Sequence, residues 1–431
     1  MTSRPKSYHL LTTFRCVAAL TVATMLLEPA ARAEDWPQWR GPNRDGISTE
    51  TGLLKEWPAD GPKLLWQVKG IGEGYSTPAV VGKRMYLVSN RGMDDEFVQA
   101  LDATDGHQIW ETHIGKVGVN RGPQYPGARS TPTVDGALLF ALGSDGDLAC
   151  LETETGKVKW HKNLRSDFGG QPGAWAYSES PLVDGDLLIC TPGGAEATIV
   201  ALDKKTGETV WKSALEEADQ AGYASAIVFE TGGVKQYVQF VQKGLVGVDA
   251  KTGKLLWRYD RTAKGSQANI PTPVAHDHFI YSATGRVGGG LVSLKADKSG
   301  VTADPVYFEP KMPSAIGGAI EHDGYLYGTN GQGMLCADFA TGEHKWQDRG
   351  VGPGGVLYAD GLIYVHGENG DVAIFAAKPD GFSEKGKFTP PELPDRGSSK
   401  AWAYPVVADG KLYIHDWGTL WCYDVKDPAA K

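Results

Sequence analysis

The chain has 431 residues, with 43 Lys or Arg against 52 Asp or Glu and a formal net charge of −9. Glycine, at 56 residues, makes up about 13% of it, nearly double the usual share of ~7%, while 41% hydrophobic and 22% charged residues are ordinary globular proportions. This balance excludes a disordered or collagen-like chain, and the acidic surplus argues against a nucleic-acid partner.

Residues 1–33 read as a cleaved export signal. Arg4, Lys6 and Arg15 precede an apolar run from Cys16 to Leu27, and Ala31-Arg32-Ala33 supplies the small-x-small pattern that a signal peptidase accepts. The run is shorter than the ~20 apolar residues a bilayer span needs. Cys16 opens the run, whereas a lipid-modified cysteine would stand after small residues at its end, so a periplasmic protein without an anchor or a transmembrane segment is expected. Cleavage leaves 39 basic and 51 acidic side chains, a net of −12. Residues 34–62 form an N-terminal arm, 63–425 a repeat domain and 426–431 a short tail.

The repeat carries two signatures. Its later signature is an acidic residue, two variable residues, Thr-Gly, three more residues and Trp: Glu152 to Gly156 with Trp160, Asp203 to Gly207 with Trp211, Asp249 to Gly253 with Trp257, and Asp338 to Gly342 with Trp346. Asp102 to Gly106 with Trp110 is a variant in which Asp105 replaces the Thr. Its earlier signature is a two-residue turn between β-rich stretches, at Val81-Gly82, Asp135-Gly136, Asp184-Gly185, Gly232-Gly233, His276-Asp277, Asp323-Gly324, Asp360-Gly361 and Asp409-Gly410. Asp-Gly between apolar runs is a strong hairpin signal, because both central residues of the favoured turn need positive φ.

Spacing counts the units. Trp66, Trp110, Trp160, Trp211 and Trp257 follow one another at 44 to 51 residues, and the jump of 89 to Trp346 leaves room for a unit that lost its Thr-Gly turn, with strands at 291–294 and 306–308. A period of about 40–50 with four strands per unit marks a β-propeller. The last unit stops at Val425 without a fourth strand, and Lys63 to Val68 is a fourth strand without a unit before it. An all-β, eight-bladed propeller of four-stranded antiparallel blades is therefore expected, with the N-terminal strand completing the last blade and leaving no long unpaired edge.

Four cysteines remain after cleavage. Cys150, Cys336 and Cys422 occupy a slot that other blades fill with Ala100, Ala201 and Gly247, so it wants a small residue, and equivalent places on different blades are too far apart to bridge. Buried free thiols are expected. His366 and His415 share one register with Cys190, Ala141 and Thr329, and read as inner-strand packing rather than as a metal site. His276 and His278 flank a turn, and Asp145-Gly146-Asp147 reads as a hairpin turn rather than a calcium loop.

The loops leading into the blades converge on a central funnel. Two carry the same string, Trp175-Ala176-Tyr177 and Trp402-Ala403-Tyr404, and others offer Tyr75, Arg129 and Tyr223. Aromatic side chains with an Arg on a concave face suit a peptide, a carbohydrate or a quinone-like ligand, or simply pack the funnel wall. Glu179 has the same two readings, as a funnel ligand or as the ion-pair partner of Arg129.

These units resemble the repeat of pyrroloquinoline quinone (PQQ) dehydrogenases and of the related non-enzymatic BamB-type propellers, which help assemble outer-membrane proteins. The likeness covers residues 63–425. Physically the shared motif is a docking device, with glycine making a turn and Trp66, Trp110, Trp160, Trp211, Trp257 and Trp346 burying a face between neighbouring blades. The segment Asp35 to Pro42, with two Trp, is similar to the arm of exported PQQ-like propellers and is expected to clamp the ring. In the enzymes the resemblance implies an adjacent cysteine pair, a calcium held by Glu and Asn, and a catalytic Asp. Glu179 and Asn269 match the metal positions, but no cysteines are adjacent and Ala315-Ile316-Gly317 offers no Asp. PQQ with calcium is thus disfavoured as a cofactor, and no catalytic or metal-binding residues are assigned. The leading expectation is a monomeric binding scaffold for a protein or an extended peptide. The alternatives are a PQQ-dependent oxidoreductase and a carbohydrate-binding propeller.

Overall fold

Eight two-residue turns set the architecture of the computed structural model, which describes residues 1–3, 35–120, 125, 127–215 and 219–430. The chain divides at Arg32, and its second unit, Ala33–Lys431, holds all the described residues but the first three. The export signal read in residues 1–33 lies, beyond residue 3, outside the described residues, and everything below concerns the second unit.

The described residues form eight antiparallel sheets in ring order, spanning 79–116, 133–163, 182–213, 227–259, 274–309, 319–348 and 354–388, with the eighth built from Val406–Ala408, Lys411–Asp416, Thr419–Asp424 and the N-terminal strand Lys63–Lys69. That strand pairs with Thr419–Asp424 so that Trp66 faces Cys422, closing the ring. Blade 7 gains an unforeseen fifth strand from the arm, Ile47–Ser48, parallel to Gly354–Ala359.

The turns divide into two registers. Asp323-Gly324, Asp360-Gly361 and Asp409-Gly410 have both residues at positive φ, between 50° and 85°, as a type I′ turn needs. In the first three blades Val81, Asp135 and Asp184 instead end their strands, and the turns are Gly82-Lys83, Gly136-Ala137 and Gly185-Asp186, with the glycine alone at positive φ. Blade 5 is likewise shifted to Asp277-His278. The expected pairs straddle the strand end there, because a turn that needs positive φ only at its first residue satisfies the same Asp-Gly string one residue later.

Blades dock through tryptophan. Trp110, Trp160, Trp211 and Trp346 donate from Nε1 to carbonyls of the following blade: Thr153 (3.1 Å), Lys204 (3.0 Å), Ala250 (3.2 Å) and Lys378 (2.8 Å). Each ring of Trp66, Trp110, Trp160 and Trp211 lies against the turn glycine of the next blade, where a Cβ on Gly106, Gly156, Gly207 or Gly253 would come within 2.9 Å of the indole or its neighbour Val68. The acidic residue that opens the motif closes the turn: Asp203, Asp249 and Asp338 accept from the backbone N–H and the hydroxyl of the Thr three residues on. Across the strands the Trp faces the small slot, pairing Ala100 with Trp110, Cys150 with Trp160, Gly247 with Trp257 and Cys336 with Trp346. A bulkier residue would meet the indole; a Cβ on Gly247 would lie 2.2 Å from Trp257 Nε1. The four cysteines are buried and unbridged, and burial pushes the thiols of Cys150, Cys336 and Cys422 up to about 12.

Blade 5 breaks the pattern. Its outer strands are a long hairpin, Gly288–Asp297 and Gly300–Glu309, with no Thr-Gly turn. Trp257 still shares a buried cluster with Leu294 and Val301 of that blade, but its Nε1 turns back to Gln236 Oε1 of its own blade, 2.5 Å away. Tyr307 takes the place of the missing Trp against Gly342 of blade 6.

The arm does more than clamp the rim. Trp36 bridges Val80 of blade 1 and is 2% exposed, Pro37 O accepts from Val134 of blade 2, Trp39 Nε1 donates to Thr272 Oγ1 ahead of blade 5, and Arg40 donates to Ala319 O of blade 6. Arg44 donates to Ser180 O and Pro181 O ahead of blade 3, and Ser48 to Val407 O of blade 8. A segment that touches the inner side of seven blades fills the centre of the ring.

Candidate functional site

Every wall residue of the funnel stands in a loop that leads into the innermost strand of a blade, so the ring's symmetry aims these loops at one point. There they enclose a cavity of about 260 Å³ lined by Tyr75, Tyr125, Arg129, Trp175, Ser178, Tyr223, Ser225, Ala268, Ile270, Ile316, Trp402 and Tyr404, with Trp39 of the arm reaching it from the ring's centre. Six of the residues singled out from sequence meet here: Tyr75, Arg129, Trp175, Tyr223, Trp402 and Tyr404.

The rings brace one another. Tyr125, Trp402, Tyr75 and Trp417 form a chain of contacts with centroids 4.7, 5.1 and 5.5 Å apart, Trp39 meets Tyr404 edge-on at 4.5 Å, and Trp175 meets Tyr223 at 6.0 Å. Polar ends are anchored: Trp402 Nε1 donates to Glu368 Oε1 at 3.1 Å, Tyr404 donates to Ile316 O at 2.6 Å, and Tyr223 Oη accepts from Trp175 N at 3.1 Å.

Among the described residues Arg129 is the one cation lining this cavity. Its guanidinium donates, among the described residues, only to neutral acceptors, Gly127 O at 3.1 Å, Tyr125 O, and Asn120 Oδ1 at 3.5 Å, and its carbon lies 6.0 Å from the Tyr75 ring centre. Burial lowers its pKa, opposed by Tyr75, Glu96 and Tyr223. Ser178 presents a buried hydroxyl without a partner.

Three sequence-chosen residues lie elsewhere. Tyr177 is turned into the core between blades 2 and 3, its hydroxyl donating to Pro192 O at 2.8 Å, because Ala176 adopts a left-handed φ of 67° that swings the next side chain away from Trp175. Glu179 accepts from Thr191 N and from Gln239 Nε2 (3.0 Å), and the cation that acts on it is Arg44 of the arm, not Arg129. Burial pushes its carboxyl up to about 7. Asn269 donates both amide hydrogens, to Val241 O (2.7 Å) and Gln242 O (2.9 Å), and so holds neighbouring backbone.

The shared inner register has a structural use. Thr329 donates to Gly354 O at 3.0 Å, at the start of the next blade's innermost strand, while His366 Nδ1 donates to Ala403 O at 2.8 Å and His415 Nδ1 to Ser76 O at 2.6 Å, tying their blades to the funnel loop of the next. Burial lowers the pKa of both histidines, that of His366 to about 4. His276 is drawn instead to Glu321, 2.7 Å away. Among the described residues no cluster of three or more His, Cys, Asp or Glu could hold a metal ion.

Sequence reasoning missed Trp39, Tyr125, Ser178 and Trp417. The last was within reach: Trp417-Gly418 is a two-residue turn between paired strands, with Trp417 at φ 54° holding its ring against Tyr75.

Comparison with known proteins places this geometry among its relatives. A family profile described as outer membrane protein assembly factor BamB matches residues 46–121 and 94–346. The outer membrane protein assembly factor BamB of Burkholderia pseudomallei is 25% identical over 78% of this chain and 83% of its own length. A polyvinylalcohol dehydrogenase of Sphingopyxis sp. is 26% identical over 77% of this chain and 47% of its own. The crystal structure of BamB from Moraxella catarrhalis superposes with a TM-score of 0.59 at 17% identity, over 84% of this chain and 97% of that one, which shows the shared fold. The chain spans two thirds or less of the length of several other curated relatives, 20%, 66% and 51%. Among the described residues no helix is long and apolar enough to cross a membrane.

Proposed function

The chain belongs to the family described as outer membrane protein assembly factor BamB, and from that membership and the funnel's geometry we propose that it is an exported, non-catalytic binding propeller whose funnel and blade edges receive a protein or an extended peptide. The observation that carries this reading is the composition of the cavity, where aromatic faces surround one Arg and the acidic residue expected as a metal ligand is committed elsewhere. Export rests on the charge, apolar run and small-x-small pattern of residues 1–33.

The second reading is the PQQ-dependent oxidoreductase, favoured by relatives such as the polyvinylalcohol dehydrogenase. Calcium takes six to eight oxygen ligands. Glu179 spends both oxygens on protein donors and Asn269 has only Oδ1 unengaged, and neither lines the cavity. These residues do not fit a calcium-bound quinone, so no chemical step is derived for one.

Tryptophan fluorescence of the purified mature protein separates the readings, using unfolded outer-membrane-protein peptides, PQQ with and without calcium, and neutral oligosaccharides as titrants. We expect saturable quenching by peptide that is lost when Trp175→Ala and Trp402→Ala are combined. Calcium-dependent PQQ binding at micromolar affinity would instead restore the enzyme reading, and quenching by oligosaccharide alone would favour the carbohydrate one.

A further inference from the structure

From the funnel's closed floor and the one cation among its described lining residues, we infer that the funnel recognises the carboxylate end of a chain, the C-terminus of a protein with an apolar last residue, rather than a segment passing through. The inference rests on the reading of the funnel as the binding site and names what that site takes.

Three observations converge. A guanidinium has five donors; among the described residues Arg129 uses three of them, all on neutral oxygens, and no carboxylate lies within ion-pairing distance. Arg129 is half-buried and Glu96 acts on it without forming an ion pair, so an anion that reached the guanidinium would offset the desolvation its neutral acceptors leave uncompensated. The Tyr223 hydroxyl acts electrostatically on Arg129, and the Ser178 hydroxyl, buried without a partner among the described residues, lines the same cavity, so both are further donors available to an anion there. A carboxylate accepts two parallel bonds from Arg and can take one more from a hydroxyl.

The second observation is the floor. Trp39 closes the cavity, and behind it the arm fills the centre of the ring from Trp36 on blade 1 to Ser48 on blade 8. A chain that enters the funnel cannot pass out through this floor, so it must end or turn back inside a cavity that Arg129 also lines. The third is size and surface. A volume of about 260 Å³ lies below the ~300–1,000 Å³ of most small-molecule sites, room for one apolar residue between Trp175 and Trp402 with its carboxylate at Arg129. The remainder of the chain would lie in the adjoining bay of about 390 Å³, which shares Trp175 with the funnel and carries Arg286 and Glu368.

The test uses the mature protein and three probes read by tryptophan quenching and calorimetry: a hexapeptide ending in leucine with a free carboxylate, the same peptide amidated, and 4-methylpentanoate, the isolated carboxylate with a leucine-like tail. We expect the acid peptide to bind at least tenfold more tightly than the amide, and Arg129→Gln to bring the two together while Arg129→Lys keeps part of the difference. We also expect 4-methylpentanoate to compete weakly. Equal binding of acid and amide would overturn the inference while leaving the funnel as a peptide site. Failure of every peptide would overturn both readings. Binding of 4-methylpentanoate as tight as the acid peptide would overturn the assignment to a chain end in favour of a free small acid. The acid-to-amide ratio is measured on the native protein, so the result does not depend on any variant folding.

Discussion

Two girdles hold this ring, and they are built by different rules. The outer one repeats a single device: an indole from one blade against the Thr-Gly turn of the next, its N–H on a backbone carbonyl, as in the pairs Trp110 with Gly156, Trp160 with Gly207 and Trp211 with Gly253. The inner one improvises, joining neighbouring blades through Thr329, His366 or His415 from one register and buttressing them with the arm's Arg40 and Arg44. The difference teaches where each job lies. Identical contacts can be copied from blade to blade because they serve only to close the circle, whereas a binding site needs different side chains at symmetry-related places.

The largest expected effect breaks the outer girdle. Gly253 has φ +72°, and a Cβ there would meet the Trp211 ring at 2.4 Å, whereas Gly136 has φ +58° with nothing within 4 Å. Gly253→Ala therefore adds overpacking to the cost of a left-handed Ala and should lose about 2–4 kcal/mol, against about 1–2 kcal/mol for Gly136→Ala. Urea unfolding of the two variants checks this; equal losses would mean that the indole does not hold that glycine.

A smaller effect sharpens the same comparison at its defect. In a double-mutant cycle, Trp211→Phe removes the bulk that Gly253→Ala collides with, so the pair should couple by about 0.5–3 kcal/mol, the double variant being more stable than the sum predicts. Trp257→Phe with Gly253→Ala should be nearly additive, within about 0.5 kcal/mol, because the Trp257 N–H bonds Gln236 of its own blade and its ring shares a buried cluster with residues of blade 5. Coupling of similar size in both cycles would mean that the Trp211 ring is not what Gly253 specifically meets.

The two girdles were not equally legible. The outer one could be read from residues alone, because turn, acid, glycine and Trp recur at fixed offsets, and the hand-over of the strand from Lys63 follows from a last blade one strand short. Even the break at blade 5 shows as a missing Thr-Gly. The inner girdle has no period to read. Trp175 and Trp402 stood out only because their string occurs twice, and that same likeness misled for Tyr177, since Ala176 takes a left-handed φ that Ala403 does not. Trp39, Arg40 and Arg44 reach their places through contacts some 130 to 280 residues away in sequence, and no local pattern states where an arm will dock.

The smallest effect lies within the inner girdle, where burial acts on two kinds of group with opposite sign. The folded-state pKa of His366 is lowered from 6.5 to about 4 by burial, so between those values the unfolded chain binds more protons than the folded one. Its contribution to stability is present above pH 6.5 and is lost as pH falls through 4. Glu179 is raised from 4.5 to about 7, so its contribution is present below pH 4.5 and is lost as pH rises through 7. In His366→Asn the amide N–H can replace Nδ1–H toward Ala403 O while nothing titrates. Urea unfolding at pH 7.0, 5.5 and 4.5 should show the native protein losing stability relative to this variant at each step down. Parallel curves would mean that His366 is not held neutral in the fold, and that the tie from blade 7 to the funnel loop of blade 8 does not depend on its uncharged form.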